Sequence, residues 1–174
     1  SRKGECDVMV KVVIVNGFPG CGKTTFQREC ELVRYDIGDG FCVSVSTVDF
    51  VKRVAHCAGW DMTKTPENRK FLSDLKTLLT EWNDVPNTLI ENHIKTLPST
   101  YDWIVFVDCR EPVEIQKLKE RFNATTILIR RPQVEDNETS NDSDAKVFDY
   151  DYDLNIYNEY GFDELKMLAE HFIE

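Results

Sequence analysis

Apolar positions along the chain follow two patterns, continuous short runs and stripes of helical period. Val8–Val15 is almost continuously apolar and rich in β-branched side chains, which predicts a strand buried on both faces. A glycine-rich turn and a helix from about Lys23 to Tyr35 are predicted to follow it. Further strands are predicted at Phe41–Val45, Trp103–Val107, Thr125–Ile129 and Leu154–Tyr157. Strands that alternate with helices favour an α/β fold with a parallel sheet.

Residues 47–97 contain helical stripes in place of strands. Thr65-Pro66 predicts a helix start, because proline suits the first helical position. The stripe predicted to face inward on that helix is Phe71, Leu72, Leu75, Leu78, Leu79 and Trp82. We therefore expect one domain over residues 1–174, with a small helical insertion at about 47–98. Residues 132–149 have no periodicity and are rich in Asp, Asn, Ser and Glu, which predicts a mobile acidic loop.

The charge of the chain is divided unevenly. The 174 residues contain 21 basic and 31 acidic side chains, for a net charge of −10. Residues 1–131 have 19 basic and 18 acidic side chains, and residues 132–174 have 2 and 13, so the net charges are +1 and −11. The acidic balance argues against binding to nucleic-acid polymers or to anionic membranes, because both need an excess of Lys and Arg.

The six cysteines form no CxxC pair and no metal-binding spacing with histidine. Several lie in apolar patterns, where a free cysteine behaves as a small hydrophobic residue. No apolar run approaches the roughly 18 residues of a membrane span, and no signal peptide is recognisable. We therefore expect a cytoplasmic protein without disulfides.

The most specific motif is Gly17-Phe18-Pro19-Gly20-Cys21-Gly22-Lys23-Thr24, which matches the phosphate-binding loop G-x-x-x-x-G-K-[ST]. Glycines let backbone N–H groups surround a phosphate, and the following helix directs its positive end at the same anion. Lys23 is predicted to reach the β- and γ-phosphates, Thr24 to bind Mg²⁺, and Thr25 to extend the phosphate-binding set. The motif predicts a P-loop NTPase fold that binds a nucleoside triphosphate. Together with the predicted elements, it indicates five parallel strands flanked by helices.

The loop alone does not say where the phosphoryl group goes. The chain has no base-recognising Asn-Lys-x-Asp sequence of the GTPase type, and it is short for a motor ATPase. A small kinase is therefore the favoured class.

A second constellation follows the strand at Trp103–Val107. Asp108 ends that strand, the usual place for a carboxylate beside the Mg²⁺ of a phosphate loop. Arg110 is expected at the same end of the sheet, where its guanidinium is suited to bind an acceptor phosphate with two hydrogen bonds. A helix cap for Asp108 and a surface ion pair for Arg110 are the alternatives.

These motifs, in this order, resemble the bacteriophage-type deoxynucleoside monophosphate kinases within the nucleoside monophosphate kinase group. Asp108, Arg110, Pro112 and Glu114 match an Asp-x-Arg-x-Pro-x-Glu pattern, and Ile127–Pro132 matches a strand that runs into Arg-Pro. The resemblance implies transfer of the γ-phosphoryl group of ATP to a nucleoside monophosphate, with Mg²⁺ as cofactor. It also implies that the helical insertion binds the acceptor, with Asp49, Arg53 and Arg69 as candidates beside Arg110. Helix capping for Asp49 and solvent-exposed charge for the two arginines are the alternatives.

The acidic loop departs from the family pattern. Many nucleoside monophosphate kinases have a lid here that supplies arginines to the transferred phosphate, whereas residues 132–149 contain only Lys146 as a basic residue. Arg121, Arg130 and Arg131 precede the loop and are the candidates for the lid or adenine side. Two other functions stay open, namely a kinase of another small molecule and a nucleotide-binding regulatory module.

Overall fold

A parallel sheet forms the centre of the computed structural model, which describes residues 8–135 and 146–174. The strands are β1 (Val10–Asn16), β2 (Phe41–Ser46), β3 (Trp103–Asp108), β4 (Thr125–Arg130) and β5 (Leu154–Tyr157). Their order across the sheet is β2-β3-β1-β4-β5. The parallel register pairs β1 with β3 and β4, and β4 with β5. The predicted α/β fold of the P-loop NTPase type is thereby confirmed.

Seven helices connect or flank these strands in the described residues. Their bounds are α1 (Lys23–Ile37), α2 (Asp49–Cys57), α3 (Pro66–Asn83), α4 (Val85–Lys95), α5 (Pro112–Phe122), α6 (Pro132–Glu135) and α7 (Phe162–Ile173). None of the described helices is long and apolar enough to cross a membrane.

The hydrophobic core lies where α1 and α7 cover one face of the sheet. Phe26 of α1 is fully buried and makes edge-to-face contacts with Phe106 of β3 and Phe172 of α7, at centroid distances of 6.4 and 5.6 Å. Removing such a ring costs about 3–5 kcal/mol, because the cavity does not close completely. Since α1 begins at the end of the glycine loop, this packing also fixes the direction of the helix that follows the loop.

Residues 45–97 form a compact unit of their own, and residues 1–44 with 98–174 form the other. Within the smaller unit, α3 has no buried residue. The prediction that all six residues of its apolar stripe face inward is wrong for three of them. Phe71, Leu78 and Trp82 are 40, 62 and 74% exposed. Successive helical residues turn by about 100°, so these three lie within roughly 40° of each other, while Leu72 and Leu79 lie on the partly buried side. The apolar stripe of α3 is thus wider than the part of it that neighbouring residues cover.

The acidic loop predicted over 132–149 falls partly outside the described residues, because 136–145 are not among them. The two described ends of this loop form short helical segments, which the lack of hydrophobic periodicity did not indicate. Residues Pro132–Glu135 form α6, and Lys146–Phe148 form a 3₁₀ turn. The Glu135 carboxylate accepts a hydrogen bond from the Arg131 N–H at 3.0 Å, a contact that no hydrophobic pattern reveals.

Candidate active site

The glycine loop lies between β1 and α1 at the centre of the sheet's carboxyl edge. Two of its glycines have no room for a side chain. A Cβ on Gly17 would lie 2.4 Å from the carbonyl oxygen of Ile129, and one on Gly22 would lie 2.8 Å from Leu165 Cδ1. Gly22 also has a φ of 103° immediately before the first residue of α1, a conformation that L side chains rarely adopt. The close approach of β4 and α7 therefore requires glycine at both positions.

Lys23 bends back over the loop that precedes it. Its Nζ donates to the carbonyl oxygens of Gly17 and Phe18, at 2.8 and 3.5 Å. The first turn of α1 contains no acidic residue, so the positive end of the helix dipole is not neutralised within its own turn. An anion at this point meets both the ammonium group and the N-terminal amides of the helix.

A cavity of about 430 Å³ opens beside the loop. It is lined by Gly20, Gly22, Lys23, Thr24, Thr25, Arg131, Asn158, Gly161, Phe162 and Leu165. Cationic and hydroxyl groups meet apolar side chains in this cavity.

Asn158 supports the loop and was not predicted as a site residue. Its side chain is 1% exposed, and its Nδ2 donates to the Cys21 carbonyl at 2.9 Å. Its Oδ1 accepts from the Gly161 N–H at 3.1 Å, and its backbone N–H donates to the Arg130 carbonyl at 2.8 Å. The Asn-x-x-Gly spacing after β5 indicates a turn, but nothing in the sequence connects this turn to the glycine loop.

The two arginines at the end of β4 have different partners. Arg130 binds the Glu135 carboxylate through Nη2 at 2.6 Å and Nε at 3.2 Å, and this carboxylate raises the pKa of the guanidinium. The Arg130 guanidinium also lies 4.8 Å from the centre of the Phe148 ring. Arg131 instead donates from Nη1 to the Gly20 carbonyl at 3.2 Å, and its buried Nε has no hydrogen-bond partner in the described structure. Of the two, Arg131 is the one that lines the cavity.

Arg121 is wrongly placed by the sequence prediction. It lies in the last turn of α5, two residues before Asn123 ends the helix and four before β4 begins. The glycine loop contacts the other end of β4, because Gly17 faces the Ile129 carbonyl. Four residue steps of about 3.3 Å, from Thr125 to Ile129, put roughly 13 Å of strand between these two levels. Arg121 therefore belongs to the amino edge of the sheet and not to the lid or adenine side.

Asp108 ends β3, and its Oδ1 accepts a hydrogen bond from Gln27 Nε2 of α1 at 2.8 Å. Gln27 lies one helical turn after Thr24, so this bond holds the carboxylate against the start of α1. A threonine hydroxyl and a carboxylate are the oxygen ligands that Mg²⁺ takes when substrate phosphates and water complete its shell. The described residues contain no group of three or more His, Cys, Asp or Glu that could hold a metal by themselves. Thr24 and Asp108 thus have the chemistry of Mg²⁺ ligands, and their binding of the ion stays a prediction.

Arg110 follows β3 with an exposed side chain, at the same edge of the sheet as the glycine loop. Its backbone carbonyl accepts from Asn16 Nδ2 at 3.2 Å, which fixes the main chain beside the loop. Next to it, the Cys109 thiol donates to Glu114 Oε2 at 3.2 Å. The expected juxtaposition of this junction with the phosphate loop is thus present, and the role of the Arg110 side chain stays a prediction.

The candidate acceptor residues lie in the 45–97 unit. Asp49 Oδ2 accepts from the Ser46 N–H at 2.9 Å, a local contact between the first residue of α2 and the last residue of β2. Arg53 is exposed with its guanidinium 5.5 Å from the Phe50 ring centre, and Arg69 is exposed on α3. Their proposed contact with an acceptor stays a prediction.

Five cysteines are described, and all five are free thiols. Cys21, within the glycine loop, is fully buried, and burial raises the pKa of its thiol despite the nearby Lys23 ammonium. Burial likewise raises the pKa of Cys42, to about 12. The thiol in the loop is therefore protonated at neutral pH and fills space as a small apolar group.

No protein-family model matches the sequence, and no curated protein matches it either. Among solved structures, two of an APS kinase from Mycobacterium tuberculosis align with 95% of this chain at 14% sequence identity. One is a cysteine-to-alanine mutant, with a TM-score of 0.47 over 98% of its own chain. The other is a complex with AMPPNP and APS, with a TM-score of 0.49 over 96% of its chain. Similarity at this level says nothing about the substrate of this chain.

Proposed function

We propose that this protein is an ATP-dependent phosphotransferase that moves the γ-phosphoryl group to a nucleoside monophosphate. The observation that supports this most is the geometry of Lys23, whose ammonium lies over the glycine loop at the start of α1. Phosphoryl transfer needs little covalent chemistry from the protein and depends on alignment and charge neutralisation. A cation at this point is suited to both tasks.

The donor nucleotide is proposed to occupy the cavity beside the loop. The loop amides and Lys23 bind the phosphate chain, and Arg131 with the Asn158–Phe162 turn flanks the base. Thr24 and Asp108 hold the metal, and Gln27 fixes the orientation of the carboxylate. When bound, Mg²⁺ would neutralise charge on the β- and γ-phosphates.

The acceptor is proposed to approach from the side of Arg110. This arginine follows β3 at the carboxyl edge, where parallel α/β sheets bind their ligands. Its guanidinium is suited to bind two oxygens of an acceptor phosphate and to hold it in line with the donor. Asp49, Arg53 and Arg69 are the other acceptor candidates, as the resemblance to deoxynucleoside monophosphate kinases implies.

One observation favours a second candidate, a nucleotide-binding regulatory module. The Glu135 carboxylate accepts two hydrogen bonds from the Arg130 guanidinium. Without this ion pair, Arg130 would be available to bind the transferred phosphate. A protein that binds ATP without efficient transfer would tolerate this loss.

A substrate panel distinguishes the two functions. ATP and Mg²⁺ are incubated with each ribo- and deoxynucleoside monophosphate in turn, and ADP formation is followed beside nucleotide binding. We expect at least one monophosphate to raise ADP formation far above the rate without acceptor. If ATP binds but no monophosphate raises ADP formation, the kinase proposal is wrong and the regulatory module is favoured.

Replacing Arg110 with alanine tests the acceptor side. We expect the KM for the acceptor to rise, or kcat to fall, by about ten- to a hundredfold, because a charge-assisted hydrogen bond contributes about 1.5–3 kcal/mol. The Kd of ATP should change less than about twofold. Arg28→Ala, which removes an exposed arginine from α1, is the matched control and should leave all constants unchanged. Loss of ATP affinity alone in Arg110→Ala would assign Arg110 to the donor side.

A further inference from the structure

Asn16, the last residue of β1, is a fully buried polar side chain in a strand that is otherwise apolar at its buried positions. Its Oδ1 accepts from the Gly17 N–H at 2.8 Å, at the first residue of the glycine loop. Its Nδ2 donates to the Arg110 carbonyl at 3.2 Å and to the Tyr152 hydroxyl at 2.8 Å. One amide therefore joins three segments that lie far apart in sequence.

Tyr152 completes the connection from the other side. Its hydroxyl accepts from Asn16 and donates to the Val147 carbonyl at 2.9 Å, and the residue is only 8% exposed. Burial raises the pKa of the Tyr152 phenol to about 12, so the hydroxyl keeps its proton at neutral pH and acts as donor and acceptor together. The bond between the two side chains is therefore present throughout the physiological pH range.

The same segment contacts the loop a second time. Phe148 lies against Phe18 of the glycine loop with ring centroids 5.3 Å apart. Together, these contacts fasten residues 146–152 to the loop through one aromatic pair and one hydrogen-bonded pair. An aliphatic residue in place of Asn16 would fill the same space, so packing alone does not account for an amide that all three neighbours engage.

The two main-chain groups that Asn16 binds belong to opposite sides of the proposed reaction. Gly17 begins the loop that holds the donor phosphates, and Arg110 is proposed to hold the acceptor. We propose that Asn16 and Tyr152 are positioning residues that hold the glycine loop and the Arg110 main chain at a fixed separation. This inference rests on the proposed function, because it assigns the donor to one group and the acceptor to the other.

Tyr152→Phe is the central test, because it keeps the ring and removes only the hydroxyl. Without that oxygen, the Asn16 amide loses an acceptor and the Val147 carbonyl loses a donor. We expect kcat with the best acceptor to fall by about five- to tenfold, the equivalent of one buried hydrogen bond, while the Kd of ATP changes less than about twofold. Tyr150→Phe is the matched control, since its hydroxyl donates to Gln116 on the exposed side. It should leave kcat unchanged.

A second variant and a second measurement separate this inference from the proposed function. Asn16→Ser keeps an oxygen near the Gly17 N–H but is too short to reach Arg110 and Tyr152, so it should reduce kcat at least as much as Tyr152→Phe. Amide hydrogen exchange of a peptide over residues 16–23 should accelerate in both variants and not in Tyr150→Phe.

Each outcome then has one meaning. If Tyr152→Phe and Tyr150→Phe have equal kcat in an active enzyme, the positioning role is wrong, even if Tyr152→Phe unfolds at lower denaturant. If the wild-type protein transfers no phosphoryl group but exchange still accelerates, the proposed function fails and the structural link stands. If exchange in the loop is unchanged as well, the link itself is wrong.

Discussion

Lys23→Ala is expected to reduce ATP turnover by about two to three orders of magnitude. The substitution removes the ammonium group that lies 2.8 Å from the Gly17 carbonyl. In the proposed function, this group neutralises charge on the transferring phosphate. Removing one preorganised group that stabilises charge in a transition state typically costs this much in kcat. The measurement is ADP formation with the best acceptor of the panel, with ATP affinity determined separately.

The matched control is Lys117→Ala, which removes an exposed lysine from α5. Because both variants lose one positive charge, a general effect of net charge would appear in both. Near-normal turnover in Lys23→Ala would mean that the phosphoryl group is transferred elsewhere, and the assignment of the site would have to be abandoned.

Gly22→Ala is expected to destabilise the protein by about 2–5 kcal/mol and to weaken ATP binding more than tenfold. The new Cβ would lie 2.8 Å from Leu165 Cδ1 and 2.9 Å from Asn158 Nδ2, on a residue with a φ of 103°. Backbone strain of this kind costs about 1–3 kcal/mol, and overpacking costs a similar amount. Displacing Asn158 also breaks its bond to the Cys21 carbonyl. Urea unfolding and nucleotide titration measure the two effects.

Gly38→Ala separates strain from contact. Gly38 follows the same helix with a φ of 70° and has no atom within 4 Å of its ideal Cβ position. The free energy of unfolding of this variant should fall by only about 1 kcal/mol, and it should bind ATP normally. The substitution strains the backbone, but the new Cβ meets no other atom. Equal losses in the two variants would show that contact with α7 and Asn158 does not limit the loop.

The elements of the sheet could be predicted from the sequence because each has a strong local signal. The apolar run before Gly17 predicts a buried strand, and Thr65-Pro66 predicts the observed start of α3 at Pro66. The phosphate loop was predictable because the residues of its motif are contiguous in the sequence. Asp108 was predictable by place, since it ends a strand at the same edge of the sheet.

What sequence reasoning missed are polar contacts between distant segments. Asn16, Tyr152 and Asn158 have no pattern of their own, and the partners that connect them to other segments lie 94 to 137 residues away. Arg130 and Glu135 are only five residues apart, but their ion pair depends on a turn that hydrophobic periodicity does not indicate. The exposed side of α3 was missed for another reason. A stripe shows that a helix is amphipathic, but its width does not show how much of it a neighbour covers.

The ties between the glycine loop and the C-terminal part of the chain also bear on folding. Cys21 meets Asn158 across 137 residues, and Asn16 meets Tyr152 across 136. A ribosome that adds about 5–20 residues per second needs roughly 7–30 s to synthesise the residues between the loop and these partners. The glycine loop is therefore made well before Tyr152 and Asn158. Bonds of such high contact order form late, after more local structure. We therefore expect ATP binding to report that the glycine loop and the C-terminal part of the chain have come together.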